Sequence, residues 1–287
     1  MVLSVALLAT EIMIAVFTKR VWRRSRARTR GISSRSTPVA RLPLEIVETV
    51  VAYLIYDRRS LLACSLVSYP WYIASVPHLY HTLYTYTFSR YENPKLRWPK
   101  PLLGASKHGL LPFVKKLQVR AFPDATFSPK RLNSSTLRHF SALTNVRELA
   151  IDFLEIPRFV PGIQQYFGHF SPTVRSLTLL APKGTHRQII FFIGLFQYLE
   201  DLTLSGTTNQ VDNSTLVPPF IPPLRGRLTL SYHRWEVGLL KDMLGIFGGI
   251  RFRSMDLYAV EGTRLLLGAC AKTLETLRLH PTDPHGK

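Results

Sequence analysis

Apolar residues recur at helical spacing between residue 41 and about residue 85. These positions are Leu42, Ile46, Val50 and Leu54 in the first half of the stretch, and Leu62, Leu66 and Trp71 in the second half. Pro43 and Pro70 each fit the first turn of a helix, where a missing N–H would have no partner in any case. Ser60 is predicted as the N-cap of a helix between them. The pattern therefore predicts three short helices, which are too small to enclose a large core and carry apolar side chains on more than one face.

A second pattern repeats along residues 86–287, with a central Leu or Met flanked by apolar residues three positions before and two positions after it, except that Arg225 takes the first place before Leu228. The central positions are Leu117, Leu149, Leu177, Leu202, Leu228, Met255 and Leu277. Successive centres are 32, 28, 25, 26, 27 and 22 residues apart, which is typical of a repeat architecture. Each centre predicts a strand. Stretches 132–143, 187–199 and 235–247 predict helices between strands, and the prolines of 216–223 exclude one there. We expect an α/β solenoid with parallel strands.

Alternating side chains of a strand face opposite sides of a sheet, so the residues between the repeated apolar positions should face outward. They mix charged, amide and aromatic side chains, which suits the recognition of another protein. The candidate contacts with a target protein are Lys116, Gln118, Arg120, Glu148, Asp152, Asp201, Arg227, Asp256 and Tyr258.

The helical stretch also shows the spacing of a known module. Its telling residues are Leu42, Pro43, Ile46, Leu61, Cys64, Val67 and Trp71. With them, residues 41–85 resemble an F-box, the adaptor-docking module of ubiquitin ligases, in the form common in fungal proteins. Tyr69 and Pro70 depart from the basic residue that the family often carries before the tryptophan. The repeats resemble, more loosely, the irregular leucine-rich-repeat-like region that often follows an F-box in fungal proteins.

This resemblance implies a non-catalytic substrate-recognition subunit of an SCF-type (cullin-RING) ubiquitin ligase, acting in ubiquitin-dependent proteolysis. The F-box would dock on a Skp-type adaptor, and through it on a cullin, while the repeats would bind an unknown protein substrate. The implied adaptor contacts are Leu42, Pro43, Ile46, Leu54, Leu61, Leu66, Val67 and Trp71. The alternative is a membrane-tethered protein-interaction scaffold not engaged in ubiquitination, in which the helices serve only to pack against the repeats.

The first forty residues divide into an apolar segment, 1–17, and a basic flexible linker, 18–40. Three interpretations of the segment compete: a signal-anchor, a short amphipathic or buried helix, and a translation start placed upstream of the true one. An anchor would need about 20 apolar residues, and would leave the basic linker and the F-box on the cytosolic side. We expect the cytoplasm or the nucleus, and membrane attachment through residues 2–17 is the alternative.

The formal net charge is +19. Nine Lys or Arg residues and one Glu fall within residues 1–41. The remaining charge follows no stripe of basic and aromatic residues, so we do not expect nucleic-acid binding, although the basic arm keeps it as a third hypothesis. His78 and His81 supply only half of a zinc ligand set, and no phosphate-binding glycine loop or nucleophile elbow is present. We therefore expect no active site, no metal and no cofactor.

Overall fold

The computed structural model describes residues 42–86, 109–120, 142–152, 167–182, 184–206, 224–231, 237–245, 249–258 and 263–280. The chain divides into two compact units between His81 and Thr82. The apolar segment 1–17, the linker 18–40, the proline-rich stretch 216–223 and most of the helix predicted over 132–143 lie outside the described residues. None of the described helices is long and apolar enough to cross a membrane.

Three helices form the first unit, as the apolar spacing predicted: α1 (Leu44–Tyr53), α2 (Arg58–Val67) and α3 (Tyr69–Leu79). Helix α1 begins directly after Pro43 and carries Glu45 in its first turn, where the helix dipole favours a carboxylate. Pro70 lies in the first turn of α3, where a proline breaks no helical hydrogen bond.

The start of α2 differs from the prediction, because Asp57 and not Ser60 caps the helix. The Asp57 carboxylate accepts hydrogen bonds from the backbone N–H groups of Arg59 at 3.1 Å and Ser60 at 3.2 Å. The Ser60 hydroxyl donates to the same carboxylate at 2.6 Å. These hydrogen bonds, the one from the Ser60 hydroxyl first, lower the pKa of Asp57. A carboxylate can accept several donors at once, and the helix begins three residues earlier than predicted.

The core of the first unit is small and draws on all three helices. Its buried members are Val47 and Val51 of α1, Leu61 of α2, and Ala74 and Leu79 of α3. Leu54, Leu62, Trp71 and Tyr80 are partly buried and pack against this cluster. The inward residues of α1 are spaced four apart, which is the spacing that places side chains on one helix face.

The second unit is organised around a parallel β-sheet. The described strands are β1 (Thr82–Tyr86), β2 (Lys116–Arg120), β3 (Glu148–Asp152), β4 (Ser176–Leu180), β5 (Asp201–Ser205), β6 (Leu224–Ser231), β7 (Ile250–Tyr258) and β8 (Thr276–His280). They form one eight-stranded sheet in which every strand lies beside its predecessor in the chain. All pairs are parallel. The α/β class and the seven predicted strands are confirmed, and β1 was not predicted.

The register of the sheet explains the repeat. The seven predicted central residues are direct neighbours across the strands, and they form one row from Leu117 to Leu277. Leu83 of β1 extends this row by one strand. From β2 to β7 the row is buried, which is why a large apolar residue recurs at the position.

Helices lie between the later strands: α4 (His186–Gly194), α5 (Val237–Leu244) and α6 (Thr263–Cys270). The first two fall within the predicted helical stretches, whereas α6 was not predicted. A capping box begins α4, since the Gln188 N–H donates to the Thr185 hydroxyl at 3.3 Å and the Thr185 N–H donates to the Gln188 amide oxygen at 2.9 Å. Four apolar residues of α4 are buried: Ile189, Ile190, Phe192 and Ile193.

Candidate functional site

The three helices of the first unit expose many large apolar side chains, which we name the helical apolar surface. Its members are Leu42, Leu44, Ile46, Val50, Tyr53, Leu66, Val67, Tyr69 and Ile73. Leu42 precedes α1, and the other members come from the three helices. Scattered exposed apolar residues are normal in soluble proteins, whereas a set this dense within about 30 residues suggests a binding surface.

Helix α1 shows why this surface forms. Val47 and Val51 occupy the face that packs into the core, and both are almost fully buried. Ile46 and Val50 each precede one of these residues, so they lie about 100° away around the helix axis. They remain exposed, with Ile46 at 48%. The second apolar face of α1 is therefore only partly covered within the described part of the first unit.

The predicted adaptor contacts divide by burial into three groups. Leu42, Pro43, Ile46, Leu66 and Val67 are exposed. Leu54 and Trp71 are half-buried and pack against the core. Leu61 is only 1% exposed and belongs to the core itself, so it has almost no surface to offer an adaptor. The F-box resemblance assigns both Leu61 and Leu66 to the adaptor interface, although only Leu66 is exposed.

The exposed residues Leu44, Val50, Tyr69 and Ile73 belong to the same surface and were absent from the predicted contacts. A helical-wheel comparison would have found Val50, because it shares a face with Ile46. Tyr69 and Ile73 are four residues apart on α3 and share a face in the same way.

The outward side of the sheet, which we name the ladder face, is the second candidate site. Its charged side chains pair mostly across neighbouring strands. Lys116 Nζ lies 3.1 Å from Glu148 Oε2, and Arg227 Nε lies 4.0 Å from Asp201 Oδ1. His280 Nε2 lies 2.7 Å from Asp256 Oδ1. The same face also carries a row of threonines in register on β4, β5 and β6, which are Thr178, Thr203 and Thr229.

Asp152 does not belong to the accessible part of this face. It is 7% exposed, and its Oδ2 atom accepts a hydrogen bond from Gln118 Nε2 at 3.4 Å. Asp152 therefore offers little accessible surface to a target protein, and its role as a contact stays a prediction. Arg120 beside it is exposed. Tyr258 is half-buried, and its ring centroid lies 5.2 Å from that of His280.

Reactive groups offer little chemistry in the described residues. Burial raises the pKa of the Cys270 thiol, which lies 3.8 Å from the carbonyl oxygen of Ile250, so it stays protonated at neutral pH. Cys64 is half-buried, and both cysteines are free. Within the described ranges no three His, Cys, Asp or Glu side chains converge on a point that could hold a metal ion.

Comparison with known proteins gives no family assignment, because no family model matches the chain and the search of curated proteins finds no match. The structure itself defines an α/β chain with an eight-stranded parallel sheet and a three-helix unit that exposes an apolar surface.

Proposed function

We propose that this chain is a non-catalytic target-recognition subunit of an SCF-type (cullin-RING) ubiquitin ligase. In this proposal residues 41–85 are an F-box that docks on a Skp-type adaptor. The sheet of the second unit is the inner layer of an irregular leucine-rich-repeat-like solenoid that binds a target protein. Ubiquitin transfer would be accelerated by holding the target near the ligase, which needs no reactive side chain in this chain.

The helical apolar surface carries the proposal. Five of the residues that the F-box resemblance assigns to the adaptor interface are exposed, while a separate set of residues fills the core. Burying exposed apolar area stabilises a complex by about 25 cal/mol per Å². A few large side chains at the centre of an interface usually supply most of this free energy. Docking of another protein is therefore a physical reason for a small unit to keep these side chains outside its core.

A pair of charged substitutions tests the docking. Ile46→Asp together with Val67→Asp places two carboxylates where the proposed interface excludes water. Both residues are exposed, Val67 at 68%, so the helices should keep their fold. We expect the affinity for a purified Skp-type adaptor to fall by at least about tenfold, as is usual when interface residues of this kind are replaced. Isothermal titration calorimetry measures the affinity, and circular dichroism checks the helix content.

The matched control is Tyr56→Asp together with Ala63→Asp, which adds the same charge at exposed positions outside the predicted contacts. It should bind the adaptor as the unmodified chain does. Unchanged affinity in the Ile46 and Val67 variant, or no binding by the unmodified chain, would refute the proposal. Trp71 is a poor choice for this test, because it packs against the core and its replacement would also destabilise the unit.

A further inference from the structure

The edge at which the strands begin carries a row of basic residues, which we name the basic rim. Its members are Lys115, Arg147, Arg175, Arg225, Arg251 and Arg253. The first three occupy equivalent positions on neighbouring strands, and the next place in the same row, directly before β5, is taken by Glu200, as the backbone hydrogen bonds show. The Arg147 N–H donates to the Lys115 carbonyl at 2.8 Å, and the Arg175 N–H donates to the Arg147 carbonyl at 2.8 Å.

The other three members lie where β6 and β7 extend beyond the neighbouring strands. Arg225 and Arg251 are direct cross-strand neighbours in this extension. Arg253 falls where the register shifts between Gly226 and Arg227. Like charges that face each other across two strands destabilise a sheet. The pair of arginines is therefore unfavourable by itself, and a bound anion would relieve the repulsion.

Carboxylates neutralise only part of the rim. Arg175 Nη1 lies 3.9 Å from Glu200 Oε1, and Arg253 Nε lies 3.9 Å from Glu275 Oε1. Lys115, Arg147, Arg225 and Arg251 are exposed. In the part of the chain that the structure describes, these four residues form no ion pair with a carboxylate.

The excess of positive over negative side chains is specific to the rim and does not follow from the basic composition of the whole chain. Apart from Arg225, Arg251 and Arg253 of the rim, the outward positions of β2 to β8 carry as many Asp and Glu as Lys and Arg residues. The basic ones are Lys116, Arg120, Arg227 and Arg278, and the acidic ones are Glu148, Asp152, Asp201 and Asp256. Among the described residues of the sheet, the excess of positive charge is thus concentrated at the edge where the strands begin.

We propose that the basic rim binds an extended segment rich in Asp and Glu. Neighbouring strands lie about 4.8 Å apart, so the rim from β2 to β7 spans about 24 Å, the length of about seven extended residues. The positive charges lie along this line in two groups, at β2 to β4 and at β6 to β7, with Glu200 at the start of β5 between them. Two separated groups of charge suit carboxylates spaced along a chain better than one phosphate group. Arginine also pairs with carboxylates through two parallel hydrogen bonds. Binding of an acidic segment by the rim does not depend on the proposed function. Only the assignment of that segment to the ligase target rests on it.

A peptide-binding experiment on the full chain tests the rim without any adaptor. The probe is a fluorescent eight-residue peptide that alternates Glu and Ser, and its control carries Gln in place of Glu. The rim variant combines Lys115→Gln, Arg147→Gln, Arg225→Gln and Arg251→Gln. The variant removes four exposed ion pairs with the peptide, and each pair contributes modestly to the binding free energy. We therefore expect the rim variant to bind the Glu peptide at least about tenfold more weakly in fluorescence anisotropy.

The matched control removes the same charge elsewhere, through Arg59→Gln, Lys241→Gln, Arg264→Gln and Lys272→Gln, all at exposed positions. Its affinity should change by less than about twofold at physiological salt, where distant charges are screened. Equal losses in the two variants would show attraction by net charge alone and overturn the proposal. Unchanged binding in the rim variant would overturn it as well.

Two further probes decide the chemistry of the ligand. A peptide with one phosphoserine and no Glu, or a single-stranded oligonucleotide of equal charge, should bind the unmodified chain more weakly than the Glu peptide. Tighter binding of either probe overturns the assignment to carboxylates. If the fourfold variant does not fold, the pairs Lys115→Gln with Arg147→Gln and Arg225→Gln with Arg251→Gln replace it, each with an expected loss of about threefold. Because no adaptor is present, failure here leaves the adaptor-docking proposal standing.

Discussion

At the scale of single residues, Gly226 is the position that the fold constrains most strongly. Its φ is +85°, a conformation that only glycine adopts without strain, and a Cβ there would overlap the backbone carbonyl of Glu200. Gly226 also borders the register shift between β6 and β7. The close approach of two backbones, together with the positive φ, requires glycine at this position.

Gly226→Ala should therefore lower the free energy of unfolding by about 2 kcal/mol or more, as expected for strained backbone with a steric overlap. Gly268→Ala is the control, because Gly268 lies within α6 and a Cβ there would meet nothing within 4 Å. That change should raise stability by up to about 1 kcal/mol, the difference in helix propensity between the two residues. Urea unfolding measures both variants, and a Gly226→Ala chain as stable as the unmodified one would contradict the geometry.

At the scale of the strand, the central residue of the repeat is not buried to the same extent on every strand. Leu202 lies in the middle of the inward row and is 1% exposed, whereas Leu277 on the last strand is 40% exposed. The residues of β8 are all exposed. Inward residues gain stability only where helices or neighbouring strands cover them, and among the described elements β8 is the least covered.

Leu202→Ala should lower the free energy of unfolding by about 3 kcal/mol, because it leaves a cavity in a closely packed row. Leu277→Ala should cost less than about 1 kcal/mol, since much of its side chain already contacts water. The two substitutions remove the same atoms, so the difference reports burial alone. Equal losses in chemical unfolding would mean that β8 is covered in solution.

The repeated centres allowed most of the sheet to be predicted from the sequence, because a buried row needs a large apolar residue on every strand. Strand β1 escaped this pattern, since Thr85 follows Leu83 where the other strands carry an apolar residue. Helix α6 escaped because Leu265, Leu266 and Leu267 form a continuous apolar run with no helical period.

The candidate sites were less predictable than the strands, because exposure depends on what the rest of the chain brings nearby. Leu61 and Leu66 are both assigned to the adaptor interface by the F-box resemblance, yet Leu61 belongs to the core and Leu66 is exposed. Asp152 occupies an outward position of its strand and is nevertheless covered. The basic rim lies just outside the repeated pattern, and its contiguity depends on the register of strands that are far apart in the sequence.

At the scale of the whole molecule, the two proposed surfaces differ in chemistry and lie on different units. The helical apolar surface would bind its partner by excluding water, with little dependence on salt. The basic rim would bind an anionic segment by charge, with an affinity that falls steeply as salt rises. Residues that share no partners usually contribute independently to binding, so a change on one surface should leave the other intact.

A bridging experiment tests this division of roles. The Glu peptide, immobilised on beads, should capture the purified Skp-type adaptor only when the full chain is present. The Ile46→Asp, Val67→Asp variant should stay on the beads and lose the adaptor, because its rim is unchanged. The fourfold rim variant should lose the beads but keep its affinity for the adaptor in solution within about twofold. Capture of the adaptor by either variant at the level of the unmodified chain would contradict the assignment of one partner to each surface. Raising the salt concentration should release the chain and adaptor together from the peptide, since the contact that breaks is the ionic one.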